Sequence, residues 1–515
     1  MKRIYIIIIG FLISGLFSSC DEYLDVMPDN RTTIDTPDKV AKLLVSAYPD
    51  RLHFMVMEPA SDNYDENSDN LANNSLIKEA YYQWRTDYES TNDKPETVFG
   101  AHYRAIANAN LALESIEELG NTPDLQKYRG EAYMARAYAH FLLANIWCKH
   151  YSTNSDNDLG MPYMKATEKD AYVMYERGTL SEFYANINDD IEAGLPLIDD
   201  NAYKVPKYHF NRKAANAFAA RFNLYYGNYD KTIKYASEAL GVDVTKSLRD
   251  WPTMRSKLTS DEQCNTYVDV TNPATLMLMA NVTDYGRYYK GGRYSHNLYI
   301  ANNETLYASG PWGKTDVLMG GGIWTPGGNN EVGRFIPKAN EYFRVTNPIG
   351  GTGFLYGIHA VFTTDEILLC RAEAYIMKQD YTNALIDLNM FLANYFKGRS
   401  FTTLTLNNVN SFYDGVEYWE FDKPTVKKRL EPDFPIVDKT HENMLHCVLQ
   451  LRRVLTLHEG LRWPDIKRYG IEIYRRKIDE SGVVTVKDRL PKDDPRRAFQ
   501  IPVSVLSAGF EPNPR

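Results

Sequence analysis

Cysteine is scarce in this chain, five residues in 515, and no two form a C-x-x-C pair. That excludes a disulfide framework and the usual thiolate zinc spacings. After Cys20 come Cys148, Cys264, Cys370 and Cys447, and the apolar helical contexts of Cys148, Cys370 and Cys447 predict buried free thiols. Positive charge is also short: 58 Lys and Arg face 67 Asp and Glu, a net charge of −9. This is the wrong sign for a phosphate-coated partner, so nucleic acid is excluded.

Catalytic signatures are missing too. The histidines of His441-Glu442-Asn443-Met444-Leu445-His446 lie five apart, not the four that place two zinc ligands on one helix face. Gly310 to Thr315 approaches a phosphate loop, but Ala308 stands where its first glycine is required. No G-x-S-x-G nucleophile elbow occurs, and no pair of carboxylates is marked out for glycoside hydrolysis. These absences indicate a binding protein with no enzymatic centre, cofactor or resident metal.

Long apolar runs are absent except at the start, MKRIYIIIIGFLISGLFSSC. Lys2 and Arg3 precede an apolar stretch from Ile4 to Phe17, short of the roughly 20 residues that span a bilayer but suited to a signal-peptide core. Ser18 and Ser19 before Cys20 form a lipoprotein box, with Phe17 where Leu is usual. Residues 1–19 are thus read as a removable leader and Cys20 as the acylated first residue, anchored through several acyl chains. The alternative is an ordinary secretory signal followed by a chance cysteine.

What is plentiful is tyrosine, 38 residues, and helical periodicity. Arg129 to Trp147 has no proline and few β-branched residues, and Tyr133, Ala137, Phe141 and Ala144 draw one apolar stripe along it. Its alanines on other faces predict a helix packed between neighbours. Ala214 to Leu240 and Thr364 to Leu392 repeat one pattern. With Tyr229 set against Tyr381, Ala220, Leu224, Ile233 and Leu240 match Ala372, Ile376, Leu385 and Leu392. The turns Gly227-Asn228 and Gln379-Asp380 separate the halves, the grammar of a tetratricopeptide-like repeat. Unrelated helical hairpins are the alternative.

Elsewhere Thr36-Pro37-Asp38 predicts a capped helix to about Tyr48, Pro95 to Leu119 a second and His441 to Leu457 a late one. Thr275 to Val282 and Val483 to Val486 read as strands. Glu58 to Asn74 reads as a solvated acidic loop; Asp62, Asp65, Glu66 and Asp69 lack the spacing of an EF-hand. The stretch 248–353 is rich in glycine, asparagine and aromatics, the kind of segment where function tends to reside. The fold expected is mainly α: one domain, 20–515, with a helical frame at about 36–245, 355–400 and 440–470. Loop-rich inserts at about 248–353 and 401–435, with a few short strands, complete it. Trp84, Trp312 and Trp324, supported by Tyr82 and Tyr307, lie in irregular segments and are the expected ligand platforms, whereas Trp147 and Trp463 are expected in the core.

Five stretches in order resemble the SusD/RagB family of nutrient-binding lipoproteins from Bacteroidetes-type bacteria. They are Cys20 to Asp25, the Arg129 helix, Leu224 to Leu240, Leu368 to Tyr375, and the E-G-x-R-W-x-D-x-K-R-x-G run from Glu459 to Gly470. The C-terminus departs, ending Asn513-Pro514-Arg515 where many members close with Asn-Pro-Gly-Tyr. The resemblance implies a tetratricopeptide-containing fold without catalysis and a surface lipoprotein that covers a SusC-like TonB-dependent outer-membrane transporter. It implies a glycan ligand held by aromatic stacking, or in some members a peptide. It places Asp62, Asn63 and Trp84 where members carry site residues, and makes Arg371, Glu373, Arg462, Trp463 and Asp465 packing and ion-pair residues.

Overall fold

Thr36 accepts the backbone N–H of Lys39 and Pro37 takes the first helical position, so a helix starts where the sequence predicts, but it runs Pro37–Leu44 and stops short of Tyr48. The computed structural model describes residues 33–71, 75–86, 92–170, 173–314, 323–326 and 332–515. The leader and the expected lipidation at Cys20 lie outside the described residues.

The frame is a stack of helices. α1 (Pro95–Glu118) and α3 (Leu180–Gly194) both pack on α2 (Gln126–Trp147). Every residue of α2 from Met134 to Trp147 is buried, as an apolar surface around most of its circumference requires. Its one cation there, Arg136, holds Asp190 of α3 through two contacts of 2.7 and 2.6 Å. Gly130 and Gly194 let α2 and α3 touch: a Cβ on Gly130 would lie 2.9 Å from the Gly194 carbonyl oxygen.

α4 (Arg212–Tyr226) and α5 (Tyr229–Leu240) form one hairpin, α6 (Thr364–Met377) and α7 (Tyr381–Tyr395) the other. Their turns share one geometry. Gly227 and Gln379 take positive φ, 80° and 59°, and Asn228 and Asp380 cap the second helices by accepting the N–H of Lys231 and Asn383. α5 and α4 both pack on α6, and Arg221 joins Glu366 across that seam. α8 (Lys439–Leu455) packs on α6 and leads into α9 (Arg462–Arg468). This is a mainly α fold of tetratricopeptide type. Trp147 and Trp463 are in its core, and Cys148, Cys264, Cys370 and Cys447 are buried free thiols.

Two sheets stitch the inserts to the frame. β1 (Asp65–Glu66), β3 (Tyr294–Ser295), β6 (Ile473–Ile478) and β7 (Val484–Leu490) form one sheet, ordered β3-β1-β6-β7. β2 (Thr275–Val282), β5 (Thr352–Thr363) and β4 (Tyr342–Asn347) form the other, ordered β2-β5-β4. Three readings of the sequence need correction. Residues 355–363 are strand, not helix, because pairing with β2 overrides local pattern. The insert from 401 contains a helix, Leu406–Gly415, started by a Thr405 capping box. The stretch before Trp84, which shows no clean amphipathic pattern, is a helix, Leu76–Tyr82, whose buried residues occupy most of its turns.

Candidate ligand-binding site

The helix Leu76–Tyr82 stops in a turn at which Trp84 adopts φ 55°. A bulky residue in the left-handed region costs about 1–3 kcal/mol and persists only where the surroundings hold it. Here the indole Nε1 donates to the Ala60 carbonyl at 2.9 Å, and the side chain is only 3% exposed. Below it on β6 lies Arg475, whose guanidinium stands 4.0 Å from the centroids of both the Tyr82 and Trp84 rings. Its Nη atoms donate to the carbonyls of Pro59, Ala60 and Ser61, the C-terminal end of the helix Phe54–Ala60, where backbone dipoles favour a cation. Arg496 packs on Trp84 as well, at 5.0 Å.

These groups wall a cleft of about 670 Å³. Its lining carries five basic side chains, Arg85, Arg475, Lys487, Arg496 and Arg515, against two acidic ones, Glu66 and Asp488. A second cavity, about 550 Å³, runs along α1 and is apolar, walled by Phe99, Tyr103, Ile106, Met164 and Phe510. None of the ligand residues expected from sequence lines that second cavity.

The expected platforms are not brought together. Tyr82 and Trp84 border the cationic cleft, but neither offers a bare ring face: Tyr82 packs on Tyr294 and donates to the Arg476 carbonyl. Trp312, 1% exposed, is a core residue whose indole closes over Gly310; a Cβ there would lie 2.4 Å from the ring. It leaves solvent because a glycine gives it a seat. Trp324 and Tyr307 remain half-buried in the excursion, with the Trp324 Nε1 donating to Gln263 at 2.9 Å.

Asp62 and Asn63 are also interior: residues 58–67 are buried, which corrects the reading of a solvated loop there, while Asp69 and Asn70 are exposed as expected. Arg462 grips Asp62 at 2.8 and 2.9 Å, while Asn63 donates to Glu58 and accepts from Arg453. Burial pushes the Asp62 carboxyl up, but the Arg453 and Arg462 guanidiniums outweigh it and hold it well below the usual carboxylate range. Asp65 pairs with Arg476, Glu66 with Arg293, and Asp69 with Arg293 and Lys477, whereas Glu58 is held by Asn63 and the backbone N–H groups of His458 and Gly460. The packing residues are placed as the resemblance implies: Arg371 with Asp387, Arg468 with Glu373 and Asp465, Trp463 in the core.

Residues 22–224 match a family model for SusD-like proteins described as starch-binding and associating with the outer membrane. The fold extends that likeness over nearly the whole chain. A SusD superfamily protein from Bacteroides vulgatus superposes with a TM-score of 0.64 at 16% identity, covering 94% of this chain and 99% of its own. A SusD-like carbohydrate binding protein from the same species gives 0.60 at 16%, covering 92% and 96%. The match to the SusD-like family thus lies in residues 22–224, and the chain as a whole shares the fold of these structures. A curated relative, SusD-like protein P38 of Formosa agariphila, is 28% identical over 259 residues, 45% of this chain and 44% of that protein. The chain thus matches less than half the length of that curated relative. The SusD-like family match ends before β6, so Arg475, Lys487, Arg496 and Arg515 lie beyond it. Sequence reading missed these four cations. For Arg475, Lys487 and Arg496 the signal was present in the locally basic run from Lys467 to Arg497, hidden within a net negative chain.

Proposed function

We propose that this protein captures a nutrient glycan at the cell surface, in the Trp84 cleft, and delivers it to a SusC-like TonB-dependent transporter without chemically altering it. The observation that carries this reading is the cleft itself: an open, polar recess beside the Trp84 turn, on a SusD-like frame. The family's description as starch-binding and outer-membrane-associated supports the ligand class and the location. Among the described residues no helix is long and apolar enough to cross a membrane. The hold on the membrane is assigned to lipid on Cys20, on the strength of the apolar run and small residues that precede it.

The test is calorimetric titration of the purified protein with an oligosaccharide panel, alongside a reducing-end assay. Saturable binding without new reducing ends is expected. Steady turnover abolished by one carboxylate substitution, or binding of oligopeptides alone, overturns the reading. Cys20→Ala is expected to move the protein out of the membrane fraction; retention as a mature acylated form defeats the anchor assignment.

A further inference from the structure

We infer that the Trp84 cleft selects anionic oligosaccharides, those bearing carboxylate or sulfate groups, over neutral ones. The inference rests on the glycan-binding reading above and narrows it.

The first observation is a reversal of sign. The chain carries a net charge of −9, yet the cleft lining sets five basic side chains against two acidic ones. Both carboxylates are already matched: Glu66 by Arg293 and Asp488 by Arg496. Arg475, Lys487 and Arg515 have no carboxylate among the described residues within ion-pair distance. A recess with low-dielectric walls focuses such a field and raises the local concentration of an oppositely charged ligand.

The second observation is the state of Trp84. A neutral sugar held by stacking needs a free ring face. This ring is buried and carries the guanidiniums of Arg475 and Arg496 at 4.0 and 5.0 Å. Packing of a planar cation on an indole fixes the cation's position. Trp84 is therefore a positioning residue: it holds positive charge at the cleft wall.

The third observation is Arg475 itself. It is buried, its Nη atoms are spent on carbonyls, and its Nε has no partner. Burial pulls this guanidinium down to about 10, so it keeps its charge at neutral pH in a site poorly screened by water. Neutral polar side chains, Gln83, Thr86 and Gln500, alternate with the cations in the lining. That mixture suits a ligand bearing hydroxyls and charge together, which favours an acidic sugar over an acidic peptide.

The experiment titrates the purified protein by calorimetry with four probes: oligogalacturonate, sulfated dextran oligosaccharide, maltohexaose and polyglutamate. Each is run at about 50 mM and about 500 mM salt, which spans strong and weak screening. Binding of oligogalacturonate, of sulfated dextran or of both is expected, and which of them binds separates a carboxylate from a sulfate specificity. Affinity should fall as salt rises. Lys487→Gln should weaken binding about threefold and Lys487→Glu about tenfold, with melting temperature unchanged because Lys487 is exposed. Maltohexaose binding as tightly as the anionic sugars overturns the inference and leaves the glycan reading intact. Binding of polyglutamate alone, or of no probe, overturns both. Anionic binding that Lys487→Glu does not weaken places the ligand elsewhere and also overturns it.

Discussion

Arg452 and Arg475 are both fully buried guanidiniums, and the protein surrounds them in opposite ways. Arg452, on α8, meets Asp465 at 3.1 Å and Glu373 at 3.3 Å, and Arg468 closes the cluster on the same two carboxylates. Arg475, on β6, meets two aromatic rings and three backbone carbonyls. Burial lowers the proton affinity of both. Around Arg452 the carboxylates more than reverse that loss, whereas Arg475 stays lowered, at about 10. The matched cluster ties α6, α8 and α9 into one body. The cation without a carboxylate borders the cleft, where a ligand can supply the missing charge.

The largest expected effect tests the matched side. Asp465→Ala leaves Arg452 and Arg468 short of a carboxylate in the interior, and stability should fall by about 3–5 kcal/mol in urea unfolding. A fall below about 1 kcal/mol would break the contrast. Trp312→Ala comes next. If it is core, as its burial requires, it should cost about 3–5 kcal/mol, like Trp463→Ala; a small loss of stability with a large loss of binding would return it to the ligand face.

Acid provides a third test. Asp62 and Glu304 are both held below their ordinary values, where burial opposes but surrounding Arg and Lys prevail. Their contribution is present above the unfolded carboxylate value of about 4 and lost as pH falls through the folded value. Asp93 acts in the opposite sense. Burial pushes it up to about 7, so its contribution weakens as pH rises from about 4 to 7. Unfolding midpoints followed downward from pH 6 should show an acid loss that Asp93→Asn does not remove. The smallest effect falls on the cleft: Lys487→Gln should change stability by no more than about 0.5 kcal/mol.

Much of the frame was legible in local spacing. Thr36-Pro37 marks a helix start, Gly227-Asn228 and Gln379-Asp380 mark the two hairpin turns, and Thr275 to Val282 is a strand over the predicted residues. β5 was not, since its extended state comes from pairing with β2 and β4 on either side. The site was legible only in outline. Trp84 and Tyr82 do border the cleft, but Trp312 in a glycine-rich segment reads as exposed and is seated over Gly310.

The sequence by itself determined where helices start, stop and turn, and which of their stripes are apolar. Those properties depend on residues three, four or seven apart and on cap chemistry, all local in the chain. It also determined the net negative charge and the small stock of cysteine. Only the tertiary structure decided which rings stay dry and which charges go unmatched. Trp84 loses its ring faces to Arg475 and Arg496, and Asp62 loses its carboxylate to Arg462, partners far away along the chain. Exposure and electrostatic matching are set by what packs alongside in space, and the energy of a charge depends on every neighbour that displaces water from it.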